Sequence, residues 1–173
     1  FEYFVQIGAD LVALHLLDSK YEYASWMLRK RKSPFEKLDC QFIEGSNGRV
    51  VGSMSKNKAF ANGNVFTNTK SVNDSSKFSG ISQEVWDFTI GGYQICHKWL
   101  YDRRTVGEKE GKKLTDEEIL HYKRIVKSIG CTVYLMNKID QVIEENGGWP
   151  LEGSDEFEVP GERDENQTGL FDF

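Results

Sequence analysis

The feature that most constrains the fold is a long amphipathic pattern in the second half of the chain. Thr115-Asp-Glu-Glu118 has the form of a capping box, in which the hydroxyl and the carboxylate satisfy each other's backbone amides. Downstream, apolar residues recur every three or four positions: Ile119, Tyr122, Ile125, Val126, Ile129, Val133, Met136, Ile139 and Ile143. Asn146-Gly-Gly148 and Pro150 then stop the pattern. The spacing predicts one long helix that packs on a core through a single face.

The segment from Leu38 to Gly80 has a different character, that of a small antiparallel β region. Glu44-Gly-Ser-Asn-Gly48 is a hairpin-type turn signal between Cys40–Ile43 and Arg49–Val51. Further short apolar groups, separated by Asn, Gly and Ser, are Ala59-Phe60, Val65-Phe-Thr67 and Lys77-Phe78. We therefore expect short strands joined by polar turns.

Helices are expected on both sides of this β region. Apolar spacings of three and four predict helices within Phe1–Leu17 and Lys20–Lys32. Ser82 has the position of a helix N-cap, Gly91-Gly92 permits a tight turn, and Tyr93–Arg104 can form a further helix. The predicted fold class is α+β, with N-terminal helices, a small antiparallel β region and a C-terminal helical pair that includes the long helix.

Charge and cysteine usage bound the function classes. Residues 147–173 contain eight acidic residues and one basic residue, whereas residues 1–146 contain 19 acidic and 21 basic residues. The body is thus mildly basic, and residues 151–173 form an acidic tail. Cys40, Cys96 and Cys131 are odd in number and far apart. They are interpreted as small buried hydrophobes in a reducing cytoplasm rather than as zinc ligands or disulfides. No apolar run is long enough to span a bilayer.

Catalytic motifs are absent from the sequence. There is no phosphate-binding Gly-x-x-x-x-Gly-Lys loop, no Gly-x-Ser-x-Gly elbow and no Asn/Asp-Pro-Pro-aromatic loop of the kind that amino-methyltransferases use on flipped bases. His15, His97 and His121 have no neighbouring ligand residues, so packing or surface roles suffice and no metal site is expected. The sequence indicates no reaction centre.

One block is long and specific enough to indicate a family: Glu84-Val-Trp-Asp-Phe-Thr-Ile-Gly-Gly-Tyr-Gln-Ile-Cys-His-Lys-Trp-Leu100. Together with Asp102-Arg103 it resembles the C-terminal specificity domain of bacterial type ISP restriction-modification enzymes and of related fused adenine DNA methyltransferases. The shared pattern there is Val-Trp-x-Phe-x-Ile-Gly-Gly-Tyr-Gln, followed by Lys-Trp-Leu and Asp-Arg. Further matches extend the resemblance from Phe1 to about Pro150.

The resemblance implies that residues 1–150 are a DNA target recognition domain. Residues 38–80 would be its variable reading region and residues 82–146 its helical scaffold. The partners would be double-stranded DNA and an upstream methyltransferase domain of the same polypeptide, with no membrane. This fragment would be non-catalytic and cytoplasmic, and S-adenosylmethionine would be bound by the upstream domain. The parent would methylate adenine, with or without endonuclease activity. Alternatively, the chain is a structural or protein-interaction domain that orients the methyltransferase without major DNA contact.

Candidate DNA-contacting residues are basic or carry side-chain amides. Basic residues could hold phosphates, and asparagine can hydrogen-bond to adenine, although a solvated basic face and turn-forming asparagines are the alternatives. Aromatic residues interleave with them at Phe60, Phe66, Tyr93 and Tyr101. The candidates are Arg29, Lys30, Arg31, Lys32, Arg49, Lys56, Asn57, Lys58, Asn62, Asn64, Gln94, Lys98, Arg103 and Arg104.

Overall fold

The structure, a computed structural model, describes residue 5, residues 7–12 and residues 40–148. Residues 5 and 7–12 are helical and Ile7 is buried, in agreement with a helix within Phe1–Leu17. The predicted helix at Lys20–Lys32 and the acidic tail at residues 151–173 lie outside the described residues.

A four-stranded antiparallel sheet forms the β region. Its strands are β1 (Gln41–Ile43), β2 (Phe60–Ala61), β3 (Asn64–Phe66) and β4 (Lys77–Ser79). They lie in the order β1-β4-β3-β2, so that the first strand pairs with the last. A one-turn helix, α1 (Lys56–Ala59), leads directly into β2, and a short 3-10 turn at Val72–Asp74 joins β3 to β4. Antiparallel strands were expected here, and β2, β3 and β4 lie where the apolar groups predicted them.

The helical part follows the sheet. Its elements are α2 (Gln83–Asp87), the two-stranded hairpin of β5 (Thr89–Ile90) and β6 (Tyr93–Gln94), α3 (Ile95–Tyr101) and α4 (Asp116–Glu145). The Ser82 hydroxyl accepts from the Val85 amide at 3.3 Å, which confirms the predicted cap of α2. The capping box at Thr115 and Glu118 is also present, and Asn146 is the C-cap of α4, as the sequence predicts. The helix predicted at Tyr93–Arg104 begins only at Ile95, because Tyr93 and Gln94 pair with β5 as β6. The α+β fold class is confirmed.

The core includes an aromatic contact between α4 and the sheet. Phe78 of β4 is fully buried, and its ring centroid lies 4.9 Å from that of Phe42 and 4.3 Å from that of Tyr122 on α4. The Tyr122 hydroxyl donates to the Cys96 carbonyl of α3 at 3.1 Å, and its ring lies 5.2 Å from the ring of Trp99. One buried aromatic residue of the long helix therefore joins the sheet to α3.

The predicted pairing of Cys40–Ile43 with Arg49–Val51 is wrong, although the turn between them exists. The Gly48 amide donates to the Gly45 carbonyl at 2.9 Å, but β1 pairs with β4, which places Phe42 opposite Phe78. Burial of this aromatic pair is a non-local gain that a local hairpin would lose. The turn is held instead by buried serine: the Ser76 hydroxyl donates to the Gly48 carbonyl at 2.6 Å.

The loop between α3 and α4 is tied to the segment that precedes α1. The Val51 amide donates to the Lys112 carbonyl at 3.0 Å, and the Leu114 amide donates to the Arg49 carbonyl at 3.1 Å. A side chain at Gly111 would collide with the Val51 carbonyl, so only glycine allows the two backbones to approach this closely.

Glu118 fastens the other side of the same loop. Its carboxylate accepts from the Lys112 ammonium at 2.5 Å and lies 3.6 Å from the Arg103 guanidinium, while also accepting from the Thr115 amide at 3.2 Å. Burial raises the pKa of this carboxyl, but the hydrogen bonds from Lys112 and Thr115 outweigh burial and hold the pKa below its usual value.

Within the described residues, no helix has the length and apolar character needed to cross a membrane.

Candidate nucleic-acid interface

Helix α1 presents the clearest polar, cationic surface. Lys56, Asn57 and Lys58 are all exposed, while Ala59, which closes the turn, is fully buried. Neither lysine forms an ion pair with a carboxylate in the part of the chain that the structure describes. Directly after the turn, the Phe60 ring stacks on the Trp86 ring, and this contact anchors α1 at its C-terminal end. Two uncompensated charges on a fixed turn can meet phosphates without first breaking internal pairs.

The end of α3 adds a second basic element beside α1. Arg104 lies over the Tyr101 ring, with the guanidinium carbon 3.4 Å from the ring centroid, and it donates to the Tyr101 carbonyl at 2.6 Å. The His97 ring lies 5.4 Å from that of Tyr101. Burial lowers the pKa of His97, a hydrogen bond with the Met54 backbone raises it, and the charges of Lys56 and Arg104 lower it further. We call Lys56, Lys58, His97, Tyr101 and Arg104 the α1–α3 face.

Arg49 is committed to internal ion pairs. Its Nε donates to Glu44 at 2.8 Å and its Nη1 donates to Asp116, the first residue of α4. Both carboxylates favour the protonated guanidinium and raise its pKa. Because the charge of Arg49 is already matched, a phosphate there would have to displace a carboxylate. Arg49 is therefore better described as a link between the Glu44–Gly48 turn and the long helix.

The two asparagines of the β2–β3 hairpin have different roles. Asn62 has a positive φ of 48° and is exposed at the tip of the turn. The Asn64 amide group donates to the carbonyls of Ala61 and Asn62, at 3.3 and 2.8 Å. Asn64 thus stabilises the turn, as the alternative interpretation of these asparagines proposed, whereas the Asn62 side chain is accessible to a partner.

The prediction that Gln94 faces DNA is contradicted by its position in the fold. Its side chain is only 7% exposed, and its amide group donates to the Trp86 carbonyl. The amide nitrogen ties β6 back to α2 through this hydrogen bond. The other two candidates in this region are also engaged. Lys98 donates to Asp102 at 2.5 Å, and Arg103 lies 3.6 Å over the Trp99 ring and donates to the Trp99 carbonyl at 2.8 Å.

The β5–β6 hairpin is a different kind of surface. Gly91 and Gly92 have φ values of 57° and 81°, which a two-residue turn of this handedness requires. Ile90 and Tyr93 pair across the hairpin and are 49% and 59% exposed. This small tip is apolar and aromatic, so it differs in chemistry from the α1–α3 face.

The cysteines and titratable clusters provide no reactive centre within the described residues. Cys40, Cys96 and Cys131 are buried thiols outside any disulfide, as the sequence predicted. Burial raises the pKa of Cys96 and of Cys131 to about 12, so neither is a thiolate nucleophile at neutral pH. No cluster of three His, Cys, Asp or Glu side chains suited to a metal ion occurs in residues 40–148 or 7–12.

The candidates Arg29, Lys30, Arg31 and Lys32 lie outside the described residues. Of the remaining predicted residues, four lie on neighbouring surfaces: Lys56, Asn57, Lys58 and Arg104. Three others form ion pairs within the chain: Arg49, Lys98 and Arg103. The sequence predicts only a packing or surface role for His97 and places Tyr101 among the interleaved aromatic residues. Their spacing of four along a helix, followed by Arg104, was the available signal that they share one face.

A comparison with protein-family models identifies the chain. The model of the type ISP C-terminal specificity domain matches residues 1–138. The chain belongs to this family. The matched range of the specificity domain includes the sheet, α1, α2, α3 and most of α4, and therefore the whole α1–α3 face. No curated protein and no solved structure matches the chain.

Proposed function

We propose that this specificity domain recognises double-stranded DNA sequence-specifically as one part of a larger restriction-modification polypeptide. Family membership is the observation that carries the proposal. The α1–α3 face supports it, because Lys56, Lys58 and Arg104 are cations without carboxylate partners in the described part of the chain. Phosphate contacts of this kind fix the register of a duplex, and the exposed amides of Asn57 and Asn62 are suited to base edges.

The remaining assignments follow from that proposal. An upstream domain of the same polypeptide would bind S-adenosylmethionine and methylate an adenine that leaves the base stack. The present chain would hold the duplex in register during that step and would not itself catalyse it. The parent protein would act on cytoplasmic DNA.

Duplex binding at several salt concentrations tests the proposal. A fluorescent 25-base-pair duplex is titrated with the 173-residue chain, and log K is plotted against log salt concentration. Each phosphate contact contributes a slope of about −0.9, so the double variant K56A/K58A should flatten the slope by about two. A variant with the same charge loss on α4, K123A/R124A, is the matched control and should keep the wild-type slope. Selection from a random duplex pool should enrich one common sequence. A wild-type chain that binds no duplex at low salt contradicts the proposal.

The β5–β6 hairpin favours a second candidate role, which is docking onto the upstream methyltransferase domain. The exposed pair of Ile90 and Tyr93 has the apolar, aromatic character of a small interface core. In the complete polypeptide, I90S/Y93S should weaken the association of the two parts while the isolated chain keeps its duplex affinity. If the same variant loses duplex binding in the isolated chain, the hairpin contacts DNA instead.

A further inference from the structure

A continuous row of aromatic rings runs from β2 to the end of α3. Phe60 stacks on Trp86 with centroids 5.3 Å apart, and Trp86 meets His97 edge to face at 5.9 Å. His97 contacts Tyr101 at 5.4 Å, and the Arg104 guanidinium closes the row 3.4 Å above Tyr101. The inner end is buried at Trp86 and the outer end is exposed at Tyr101. The row therefore supports the Arg104 guanidinium at the surface through packed rings.

Arg104 is held in place before any ligand arrives. One donor, Nη1, is used by the Tyr101 carbonyl, and the flat guanidinium rests on the Tyr101 ring. A guanidinium has five N–H donors, so several remain for a bidentate acceptor such as a phosphate. Because the side chain is already ordered, less conformational entropy is lost when it binds. The one acid beside it in sequence, Asp102, is paired with Lys98 at 2.5 Å.

Lys56 is a second cation near the His97 ring. Lys56 of α1 and Arg104 both act electrostatically on His97, and each positive charge lowers the pKa of the imidazole. The other groups that contact this ring are the uncharged Trp86 of α2, the Met54 backbone and Tyr101 of its own helix. Lys56 and Arg104 thus both add positive potential near His97, and an anion bound at Arg104 would offset it.

We propose that Arg104 holds a backbone phosphodiester of the DNA duplex, that Tyr101 is the positioning residue for Arg104, and that Lys56 adds positive charge beside them. This inference rests on the proposed function and specifies which surface holds the duplex. A phosphodiester is the occupant that fits, since it carries one negative charge and two unesterified oxygens for the Arg104 fork. Recognition of base sequence would then be left to side chains on either side of this anchor.

Charge and geometry can be separated with two pairs of variants. R104A removes the charge and should lower duplex affinity about tenfold and flatten the salt slope by about one. R104K keeps the charge, so it should keep the slope but lose affinity because a lysine cannot form the fork. Y101L should behave like R104K, since Arg104 stays charged but loses the aromatic ring on which it rests. Y101F keeps that ring and should restore wild-type binding. R124A, which removes one exposed arginine from α4, is the control and should leave both quantities unchanged.

The outcomes distinguish this inference from the proposed function. If the wild type binds duplex and R104A, R104K and Y101L bind as it does, the phosphate site is overturned while duplex recognition stands. If the wild type binds no duplex at low salt, both are overturned. Equal slope changes in R104A and R124A would mean that the charges act diffusely and not at one site. Inorganic phosphate is a second probe: millimolar phosphate that competes equally with wild-type and R104A binding also contradicts the site. Circular dichroism of each variant verifies that it is folded.

Discussion

Glu118 connects the first turn of the long helix to the preceding loop, so its replacement should destabilise the fold in two separable ways. The carboxylate accepts from the Thr115 amide as part of the capping box and also pairs with Lys112 and Arg103. E118A removes the Glu118 side-chain half of the capping box and the ion pairs together, while the Thr115 hydroxyl still accepts from the Glu118 amide. E118Q keeps a side-chain acceptor for the cap and removes only the charge, because glutamine also completes a capping box.

The expected magnitudes follow from the exposure of the partners. The cap hydrogen bond contributes about 1 kcal/mol. The ion pairs are weaker: the Lys112 side chain is 53% exposed and the Arg103 contact is 3.6 Å long, so together they contribute about 0.5–1 kcal/mol. E118A should therefore lower the free energy of unfolding by about 1.5–2 kcal/mol and E118Q by about 0.5–1 kcal/mol. For a chain of this length, the melting temperature falls roughly 2–4 °C per kcal/mol.

Thermal unfolding at several pH values tests the reasoning. The pKa of Glu118 is lowered in the fold, so the charge contributes stability above the ordinary value of about 4.5, and this contribution is lost as the pH falls through the folded-state pKa. Wild type and E118Q should differ at pH 7, and the difference should be smaller at pH 3. The exposed neighbour Glu117 offers a control, and E117Q should cost less than about 0.5 kcal/mol. A difference between wild type and E118Q that is equally large at both pH values would refute the ion-pair argument.

Three other predictions concern the core, the loop and the proposed interface. G111A should lower stability by about 1–3 kcal/mol, since the new methyl group collides with the Val51 carbonyl, and a variant that melts like the wild type contradicts the close approach. Y122F should cost about 1 kcal/mol in denaturant unfolding because it removes the buried hydrogen bond to Cys96; an unchanged midpoint would mean that this bond contributes nothing net. The pKa of His97 is lowered in the fold, and a bound phosphodiester should raise it, so NMR titration should find a higher pKa in the duplex complex. Duplex affinity should accordingly increase as the pH falls from 7.5 to 6, and H97Q should abolish this dependence.

The parts of the fold that the sequence predicts well are those set by local chemistry. The capping box, the apolar rhythm and the Asn146 stop define α4 to within a residue or two, and Gly91-Gly92 marks a tight turn. The strands on either side of that turn were not predicted, because Tyr93 and Gln94 were expected to begin a helix. The pairing of β1 was not predictable in this way. Its partner lies more than 30 residues away, and the choice between it and the nearby Arg49–Val51 depends on the burial of Phe42 against Phe78.

The candidate surface was less predictable than the fold for a similar reason. Whether a cation is available depends on carboxylates that are distant in sequence: Asp116, which occupies Arg49, is 67 residues away from it. Gln94 lies within a polar-looking part of the family block, yet burial turns its amide inward to Trp86. Composition identifies basic residues, but only tertiary contacts decide which charges are already neutralised. The prediction that residues 38–80 vary to set specificity remains a prediction.

The backbone ties between residues 49–51 and residues 105–114 have a consequence for engineering. A designer who wished to alter specificity would naturally graft residues 38–80 from one relative into another. Such a graft would carry Val51 but leave behind the Gly111 and Lys112 backbone that lies against it. Residues 49–51 from one parent would then contact residues 105–114 from another, and the two segments would not have evolved to fit each other. Chimeras that exchange both segments together should express in soluble form more often than those that exchange the first alone.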